Sequence, residues 1–303
     1  MANGIPVLRS TPDIPAERLL AALRTAFTDL ARGKAAQPVQ VLTPLSDGGD
    51  VIAYQGVLDG MYGVKVSPYL PHATDGPLVT AWTLLMSTKT GQPVLLVDSK
   101  ELTALRTGAT TALAVDLLAR EESAVLAIIG TGPLAQAHLR YAREVRPFTD
   151  VRVYSPAVAA GRQDTGFDSE VRVASGVDEA VEGADVVLLC TSAAEPLLDA
   201  AALPAGTLIT SISTNAPRAH EIAPVGLPGL DVYGDHRPTV TASAGEMVLA
   251  AEQGLWSGKD LRGDLPELLT DACPPPSGER PVFFRSIGLG IEDIAVARLL
   301  IEG

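Results

Sequence analysis

The order of apolar and polar positions predicts a helix, a run of strands and a second helix over the first 120 residues. Between residues 15 and 32, four leucines and Phe27 fall at helical spacing, and Gly33 follows as a stop. Short strand-like runs separated by turn residues then continue to Asp98 without a helical pattern between them. Consecutive strands of this kind favour an antiparallel or mixed sheet. A long helical pattern follows, and we expect Asp98 and Glu101 to cap its start.

From about residue 123 to residue 272, strand candidates alternate with helical or loop segments. Their sequences are mainly apolar, as is typical of strands buried on both faces: AVLAII, VRVY, VRVA, DVVLLC, GTLITSI and LDVYG. This pattern predicts a doubly wound parallel α/β unit. Residues 274–281 have the composition of a linker, and the tail at 290–303 predicts a final helix that packs back on the first part of the chain.

Composition narrows the class of protein. Apolar residues make up 47% of the chain and charged residues 19%, so a large core can form. The net charge of −13 repels phosphate backbones, and no apolar run approaches the roughly 20 residues of a membrane span. The two cysteines do not form a C-x-x-C pair, so neither a disulfide scaffold nor a thiolate metal site is expected. The start of the sequence has no signal-peptide pattern, so we expect a cytoplasmic protein. From the charge, the short apolar runs and the cysteines, we expect no nucleic-acid, membrane or metal partner.

A glycine turn lies at the first junction between a strand and a helix of the parallel unit. Its pattern is Gly130-x-Gly132-x-x-Ala135. The first glycine permits the tight turn, the second lets a pyrophosphate approach the backbone, and the small third residue lets helix and strand pack closely. The helix N-terminus also offers unpaired N–H groups to phosphates. We therefore predict dinucleotide binding by Gly130, Thr131, Gly132, Pro133, Leu134 and Ala135.

Whether the dinucleotide is NADP or NAD stays open at this point. The second parallel strand ends at Ser155, where NAD enzymes usually place an acidic residue for the ribose 2′-hydroxyl. Serine tolerates a 2′-phosphate, and Arg162 in the next segment could neutralise it, although it could equally be a solvated surface arginine. These residues favour NADP. Thr191 and Ser213 complete the predicted cofactor set.

Five segments of the chain resemble the ornithine cyclodeaminase/μ-crystallin family. They occur in the family's order and span most of the chain: GVKV at 63–66, TGQPVLLVDSKELTALRTGATTALA at 90–114, AIIGTGPLAQAHL at 127–139, TNAPRAHEI at 214–222 and FRSIGLGIEDIAVARL at 284–299. The resemblance implies a Rossmann-type doubly wound parallel sheet inserted in an α+β substrate and dimerisation domain. We expect residues 1–122 and 276–303 to form the substrate domain of a homodimer, and residues 123–275 to form the dinucleotide-binding domain.

The resemblance also implies roles for individual residues. Lys65 matches the family lysine that contacts the substrate carboxylate and assists proton transfer, and Arg106 matches the carboxylate-binding arginine. Independently, Lys65 interrupts an apolar strand and Arg106 lies in a helix of small and apolar residues, where an unpaired arginine is costly. Gly288 resembles a glycine beside the nicotinamide. The alternatives are a snorkelling edge-strand lysine, a surface arginine and a plain helix-entry glycine.

Two positions depart from the family pattern. Cyclodeaminases of the family carry an aspartate where this chain has Asn215, and an amide cannot act as a base at neutral pH, although it can orient a substrate nitrogen. Many members have an arginine where this chain has Gln40, which weakens the usual contact with the carboxylate. The catalytic set predicted from the sequence is therefore Lys65, Arg106 and Asn215.

These observations predict NAD(P)H-dependent reduction of the imine of a small 2-oxo acid or of a cyclic imino acid, as in an imine reductase or amino-acid dehydrogenase. Hydride would reach a protonated imine whose carboxylate is anchored by cations. The alternative is a cyclodeaminase of the ornithine or lysine type, which uses bound NAD+ and releases ammonia without net redox change. A third hypothesis is a cofactor-binding protein of the crystallin kind without catalysis, and the retained Lys65 and Arg106 argue against it.

Overall fold

The computed structural model of the protein describes residues 4–46, 48–212 and 218–301. Its internal contacts divide the chain into two compact units, Met1–Arg106 with Gly288–Gly303 and Thr107–Ile287. These divisions lie at other positions than the predicted boundaries at 122/123 and 275/276, which stay a prediction.

The described residues form fourteen strands and nine α-helices. The strands are β1 (Val7–Leu8), β2 (Val41–Pro44), β3 (Asp50–Leu58), β4 (Met61–Tyr69), β5 (Trp82–Ser87), β6 (Pro93–Asp98), β7 (Val125–Ile129), β8 (Asp150–Tyr154), β9 (Val171–Val173), β10 (Val186–Leu189), β11 (Leu208–Ser211), β12 (Asp231–Gly234), β13 (Gly263–Asp264) and β14 (Val282–Arg285). The helices are α1 (Ala16–Ala31), α2 (Lys100–Leu118), α3 (Pro133–Val145), α4 (Pro156–Ala159), α5 (Val177–Val181), α6 (Arg237–Ser243), α7 (Gly245–Glu252), α8 (Leu265–Leu268) and α9 (Gly290–Leu299). None of these helices is long and apolar enough to cross a membrane.

The first unit is built on a six-stranded sheet with the order β1-β6-β5-β4-β3-β2. Neighbouring strands are antiparallel except β1 and β6, which are parallel. The sequence prediction of an antiparallel or mixed sheet is therefore confirmed. Helix α1, predicted from its leucine spacing, buries Leu19, Leu23 and Phe27.

Helix α9 packs directly on strands β3 and β4 of this sheet, as predicted for the tail. Close packing between α9 and the sheet requires glycine at two positions. A Cβ atom on Gly290 would lie 2.4 Å from the carbonyl oxygen of Gln55, and one on Gly63 would lie 2.4 Å from Ile294 Cγ1. Because both positions are glycine, the first turn of α9 lies against the sheet, and its residues from Gly290 to Ala297 are all buried.

The second unit is built on an eight-stranded sheet in which every neighbouring pair is parallel, with the order β13-β12-β14-β11-β10-β7-β8-β9. The predicted Rossmann-type α/β fold class is confirmed. Its core consists of strand residues such as Ala127, Val187, Ile209 and Phe283 with helices packed over them. Strand β14 lies inside this sheet, although the sequence-based boundaries assigned it to the other domain.

The strand order reverses between β7 and β10. From β7 the chain proceeds to β8 and β9 on one side, and it then crosses to β10 on the other side. In open parallel sheets, ligands bind outside the carboxyl ends of the strands at such a reversal. Gly130 follows β7 and Thr191 lies just beyond β10, so the predicted glycine turn lies at this reversal.

Candidate active site

Lys65 lies on the buried face of β4, where a strand usually places an apolar residue. Its side chain is 2% exposed, whereas the neighbouring Val66 is 39% exposed. Directly opposite on β3 is Tyr54, and the ammonium nitrogen lies 4.4 Å from the centre of that ring. The lysine is therefore a buried cation over an aromatic face, an attractive geometry, and it is not an edge-strand lysine that reaches solvent.

Two acids from the first turn of α9 balance Lys65 and Arg106. Lys65 Nζ donates to Asp293 Oδ1 at 3.0 Å and to Thr103 Oγ1 at 3.5 Å. Arg106 donates from Nη1 to Glu292 Oε2 at 2.9 Å, and its Nε lies 3.3 Å from Asp293 Oδ1. All four charged side chains are nearly inaccessible to solvent. We call Lys65, Arg106, Glu292 and Asp293 the charge cluster; it contains equal numbers of cations and anions.

Burial shifts the protonation equilibria of this cluster. Burial, and secondly the nearby charge of Arg106, lower the pKa of Lys65 to about 8, although Asp293 and Glu292 oppose the shift. For Arg106, burial acts to lower the pKa, but the two acids outweigh it and raise the pKa above its ordinary value. Burial raises the pKa of Tyr54 to about 12. At neutral pH, therefore, Lys65 is a cation close to its titration point and Tyr54 is neutral.

Gly288 lies against Arg106. Its φ of +79° is in the region that favours glycine, and a Cβ atom there would lie 2.5 Å from Arg106 Nη1. Gly288 was predicted to lie beside the cofactor, and that role stays a prediction. Because Gly288 has no side chain, the guanidinium group of Arg106 can occupy the space beside it.

The glycine turn of the second unit has the geometry that a pyrophosphate needs. Gly130 has a φ of +119°, and a Cβ atom there would lie 2.4 Å from the carbonyl oxygen of Cys190, so only glycine fits. Gly132 differs, because a Cβ atom there would meet no atom within 4 Å. It precedes Pro133 at the start of α3, whose N-terminus has no side-chain cap. The space beside Gly132 and the uncapped helix end fit a phosphate group.

The remainder of the turn is fixed by packing. Ala135 is fully buried, while Thr131 is 7% exposed. His138 anchors the helix: its Nδ1 lies 2.7 Å from the carbonyl oxygen of Leu134, and its Nε2 lies 3.0 Å from Thr111 Oγ1. A carbonyl only accepts, so Nδ1 carries the proton and Nε2 accepts from the threonine. Burial lowers the pKa of His138 to about 4, which keeps this tautomer neutral.

Thr191 is held by a buried carboxylate, Glu221. The backbone N–H and the hydroxyl of Thr191 both donate to Glu221 Oε1, at 3.0 and 2.7 Å, and Ser211 Oγ donates to Oε2 at 2.7 Å. The proton of the Thr191 hydroxyl is therefore engaged. Its predicted cofactor contact would have to use this oxygen as an acceptor or the carbonyl group.

The remaining predicted residues lie apart or outside the described residues. Ser155 is half-buried at the start of α4, and Arg162 is exposed beyond the end of that helix. Ser213 and Asn215 lie outside the described residues, so their predicted roles stay predictions. Among the residues that the structure describes, no group of three or more histidine, cysteine or acidic side chains could hold a metal ion.

The family assignment rests on a match over almost the whole chain. Residues 12–303 match the model of the ornithine cyclodeaminase/mu-crystallin family. The chain belongs to this family. Over 296 residues it is 52% identical to the NAD(P)H-dependent anabolic L-arginine dehydrogenase DauB of Pseudomonas aeruginosa, and the match covers 94% of each chain.

Solved structures agree with this assignment. The Δ1-pyrroline-2-carboxylate reductase of Thermococcus litoralis, in complex with NADH and L-proline, superposes with a TM-score of 0.89 at 26% identity over 98% of this chain and 97% of that one. An archaeal alanine dehydrogenase dimer with bound NAD superposes with a TM-score of 0.87 at 26% identity, over 98% and 95% of the two chains. The resemblance inferred from the sequence motifs is confirmed.

Sequence reasoning missed the acids of the charge cluster. Glu292 and Asp293 lie within a motif that carried the family resemblance, but neither was singled out as a site residue. A signal was present, because two adjacent acids occur in a tail helix that is otherwise apolar except for Arg298 in its last turn. Buried acids need cationic partners, and Lys65 and Arg106 were the cations already expected to be buried.

Proposed function

We propose that this member of the family is an NAD(P)H-dependent amino-acid dehydrogenase, which reduces the imine formed from a small 2-oxo acid and ammonia. The observation that carries the proposal is the pair of buried cations, Lys65 and Arg106, held side by side by acids. The relatives confirm the predicted reaction class, oxidation or reduction at an amino-acid CH–NH group with NAD or NADP.

The proposed substrate is the 2-oxo acid that corresponds to arginine. The 52% identity to an L-arginine dehydrogenase over 94% of both chains supports this choice.

Each group in the proposed mechanism has a separate task. The guanidinium of Arg106 binds the substrate carboxylate, with the ammonium of Lys65 as a second contact. Protonated Lys65 also gives its proton to a neutral imine nitrogen, which makes the adjacent carbon electrophilic and leaves the lysine amine neutral. Asn215 orients that nitrogen, as predicted from the sequence. The nicotinamide cofactor, when bound, supplies the hydride.

The cofactor would be held by the glycine turn. Gly130, Thr131, Gly132, Pro133, Leu134 and Ala135 would bind the pyrophosphate through backbone N–H groups, and Ser155 with Arg162 would accommodate a 2′-phosphate. The open space beside Gly132 and the uncapped start of α3 support this assignment. Thr191, Ser213 and Gly288 complete the proposed cofactor set.

The activity is tested by a screen that follows NADPH or NADH oxidation. The 2-oxo acid of arginine, pyruvate, glyoxylate and a cyclic imino acid would each be supplied with and without ammonia. The proposal predicts oxidation that depends on ammonia and is fastest with the 2-oxo acid of arginine. Ammonia release from ornithine or lysine without net NADH change would instead establish the cyclodeaminase alternative, and cofactor binding without turnover of any substrate would indicate a non-enzymatic protein.

We also propose that the protein is a cytoplasmic homodimer. Exposed large apolar side chains on and beside the six-stranded sheet support the dimer: Ile5, Val7, Val39, Val41, Leu42, Val66, Tyr69, Leu78 and Val79. Light scattering after size exclusion should give a dimer, and Val41→Glu combined with Leu42→Glu should yield monomers. Val225→Glu, at a 68% exposed valine of the second unit, is the matched control and should leave the dimer intact. A monomeric parent protein would contradict the proposal.

A further inference from the structure

Asp293 of the first unit has no role in the proposed mechanism, yet it contacts both proposed catalytic cations. Its Oδ1 lies 3.0 Å from Lys65 Nζ and 3.3 Å from Arg106 Nε. Glu292, by comparison, pairs with Arg106 at 2.9 Å. Asp293 is therefore the acid that bridges the two cations, while its neighbour supports one of them.

The fold gives Asp293 little freedom to move. It lies in the first turn of α9, where the helix N-terminus stabilises a negative charge. The close approach at Gly63 and Gly290 fixes this turn against the sheet. Its side chain is 3% exposed, so the carboxylate cannot rotate into solvent without moving the helix.

We propose that Asp293 is a positioning residue, which holds Lys65 beside Arg106 and keeps it a cation so that both can engage the substrate carboxylate. This inference rests on the proposed function for its catalytic consequence. Asp293 acts through Lys65, and it need not touch the substrate.

The electrostatic surroundings of Lys65 give this role its physical basis. Tyr54 from β3 is uncharged at neutral pH, Thr103 from α2 is a neutral contact, and Thr83 opposite on β5 carries no charge. Among the described residues, the charged groups that face the lysine are Arg106 from α2 with Glu292 and Asp293 from α9. Burial and Arg106 act against the lysine cation, and Asp293 is the leading group that favours it, through both charge and hydrogen bond.

The test uses nuclear magnetic resonance of lysine side chains, because the chain contains only five lysines. Lys34, Lys89, Lys100 and Lys259 are exposed, and Lys65 is the buried one. Protein labelled with ¹³C and ¹⁵N in lysine would be titrated between pH 6 and 11, with Lys65→Met to assign the signal. The parent Lys65 should titrate near 8.

Asp293→Asn, which preserves shape, should lower the Lys65 midpoint by roughly one unit or more, as loss of an adjacent opposite charge implies. Glu292→Gln is the matched comparison, and its downward shift should be smaller, since Glu292 does not contact Lys65. Thermal unfolding and the dispersion of the resonances report whether each variant is folded. An unchanged Lys65 midpoint in folded Asp293→Asn would overturn the proposal, as would equal shifts in the two variants.

The kinetic arm separates this inference from the proposed function. If the enzyme reduces imines as proposed, Asp293→Asn should have a lower kcat/KM at neutral pH. The alkaline limb of its pH profile, where kcat/KM falls, should move to lower pH together with the Lys65 midpoint. Loss of activity without movement of that limb would indicate a merely structural aspartate and would refute the positioning role. If no 2-oxo acid is reduced by the parent protein, the proposed function fails, while the resonance shift still decides whether Asp293 controls Lys65.

Discussion

Replacing Arg106 by methionine should damage both stability and catalysis, and the two effects can be separated. Methionine keeps an apolar stem of similar length but removes the guanidinium group. Glu292, which is fully buried and pairs with Arg106 at 2.9 Å, then loses its cation. Breaking a buried pair from one side costs about 3–5 kcal/mol of folding stability, because a buried charge is left uncompensated.

The catalytic loss has a different origin. The substrate carboxylate would lose a charged hydrogen-bonded contact worth ~3 kcal/mol, and each 1.4 kcal/mol is a factor of ten, so kcat/KM should fall about 100-fold or more. The second change Glu292→Gln removes the uncompensated acid. The double variant should therefore recover most of the lost thermal stability and none of the lost kcat/KM.

The assays are thermal unfolding and NADPH oxidation with a 2-oxo acid and ammonia, with cofactor fluorescence as a check that the second unit is folded. The single variant Glu292→Gln completes the cycle, as required to isolate the coupling between the two residues. Recovery of kcat/KM in the double variant would refute the reasoning, because it would show that Arg106 served only to neutralise Glu292.

Four further predictions concern other parts of the molecule. In the proposed mechanism Lys65 acts as a cation, and its pKa is lowered to about 8, so kcat/KM of the parent enzyme should be level below that pH and fall above it. A rise through pH 8 would show that the neutral lysine is the active form. Gly63→Ala should destabilise the protein by about 1–3 kcal/mol in thermal unfolding, since the new Cβ would lie 2.4 Å from Ile294 Cγ1; an unchanged melting temperature would contradict this packing. Gly130→Ala should lower both stability and NADPH affinity. The new Cβ of Gly132→Ala would meet no protein atom within 4 Å, so this variant should lower only the NADPH affinity, measured by fluorescence. Normal NADPH binding by Gly132→Ala would show that the turn is not part of the cofactor site. Ser155→Asp should weaken binding of NADPH relative to NADH about tenfold or more by charge repulsion with the 2′-phosphate, and an unchanged ratio would place that phosphate elsewhere.

The sequence predicted the parts of the fold that depend on local pattern. Helical spacing located α1, the strand runs without intervening helices gave the antiparallel sheet, and the apolar runs after residue 123 gave the parallel one. Strand β14 could not be placed in this way. Its first three residues form an apolar run too short to distinguish from other buried segments, and its fourth is Arg285. The position of β14 between β11 and β12 depends on pairing across distant parts of the chain.

The candidate site was predictable where a residue conflicts with its surroundings. Lys65 in an apolar strand and Arg106 in a helix of small residues both stood out, and the structure buries both. Asp293 did not stand out as a partner, since α9 is buried on all sides and its periodicity carries no information about which face meets the cations. The contact of Thr191 with Glu221 was hidden for a similar reason, because it joins residues thirty positions apart.

The balance of charge in the cluster favours a particular form of substrate. Lys65 and Arg106 contribute two positive charges, and Glu292 and Asp293 contribute two negative charges, all in a region nearly closed to solvent. A simple carboxylate brought to the two cations would leave one uncompensated negative charge, which is costly in a region of low dielectric constant. An iminium acid brings its own cation together with its carboxylate and keeps the site neutral. The protonated imine is the form that accepts a hydride. The proposed enzyme should therefore bind the protonated imine more tightly than the free 2-oxo acid.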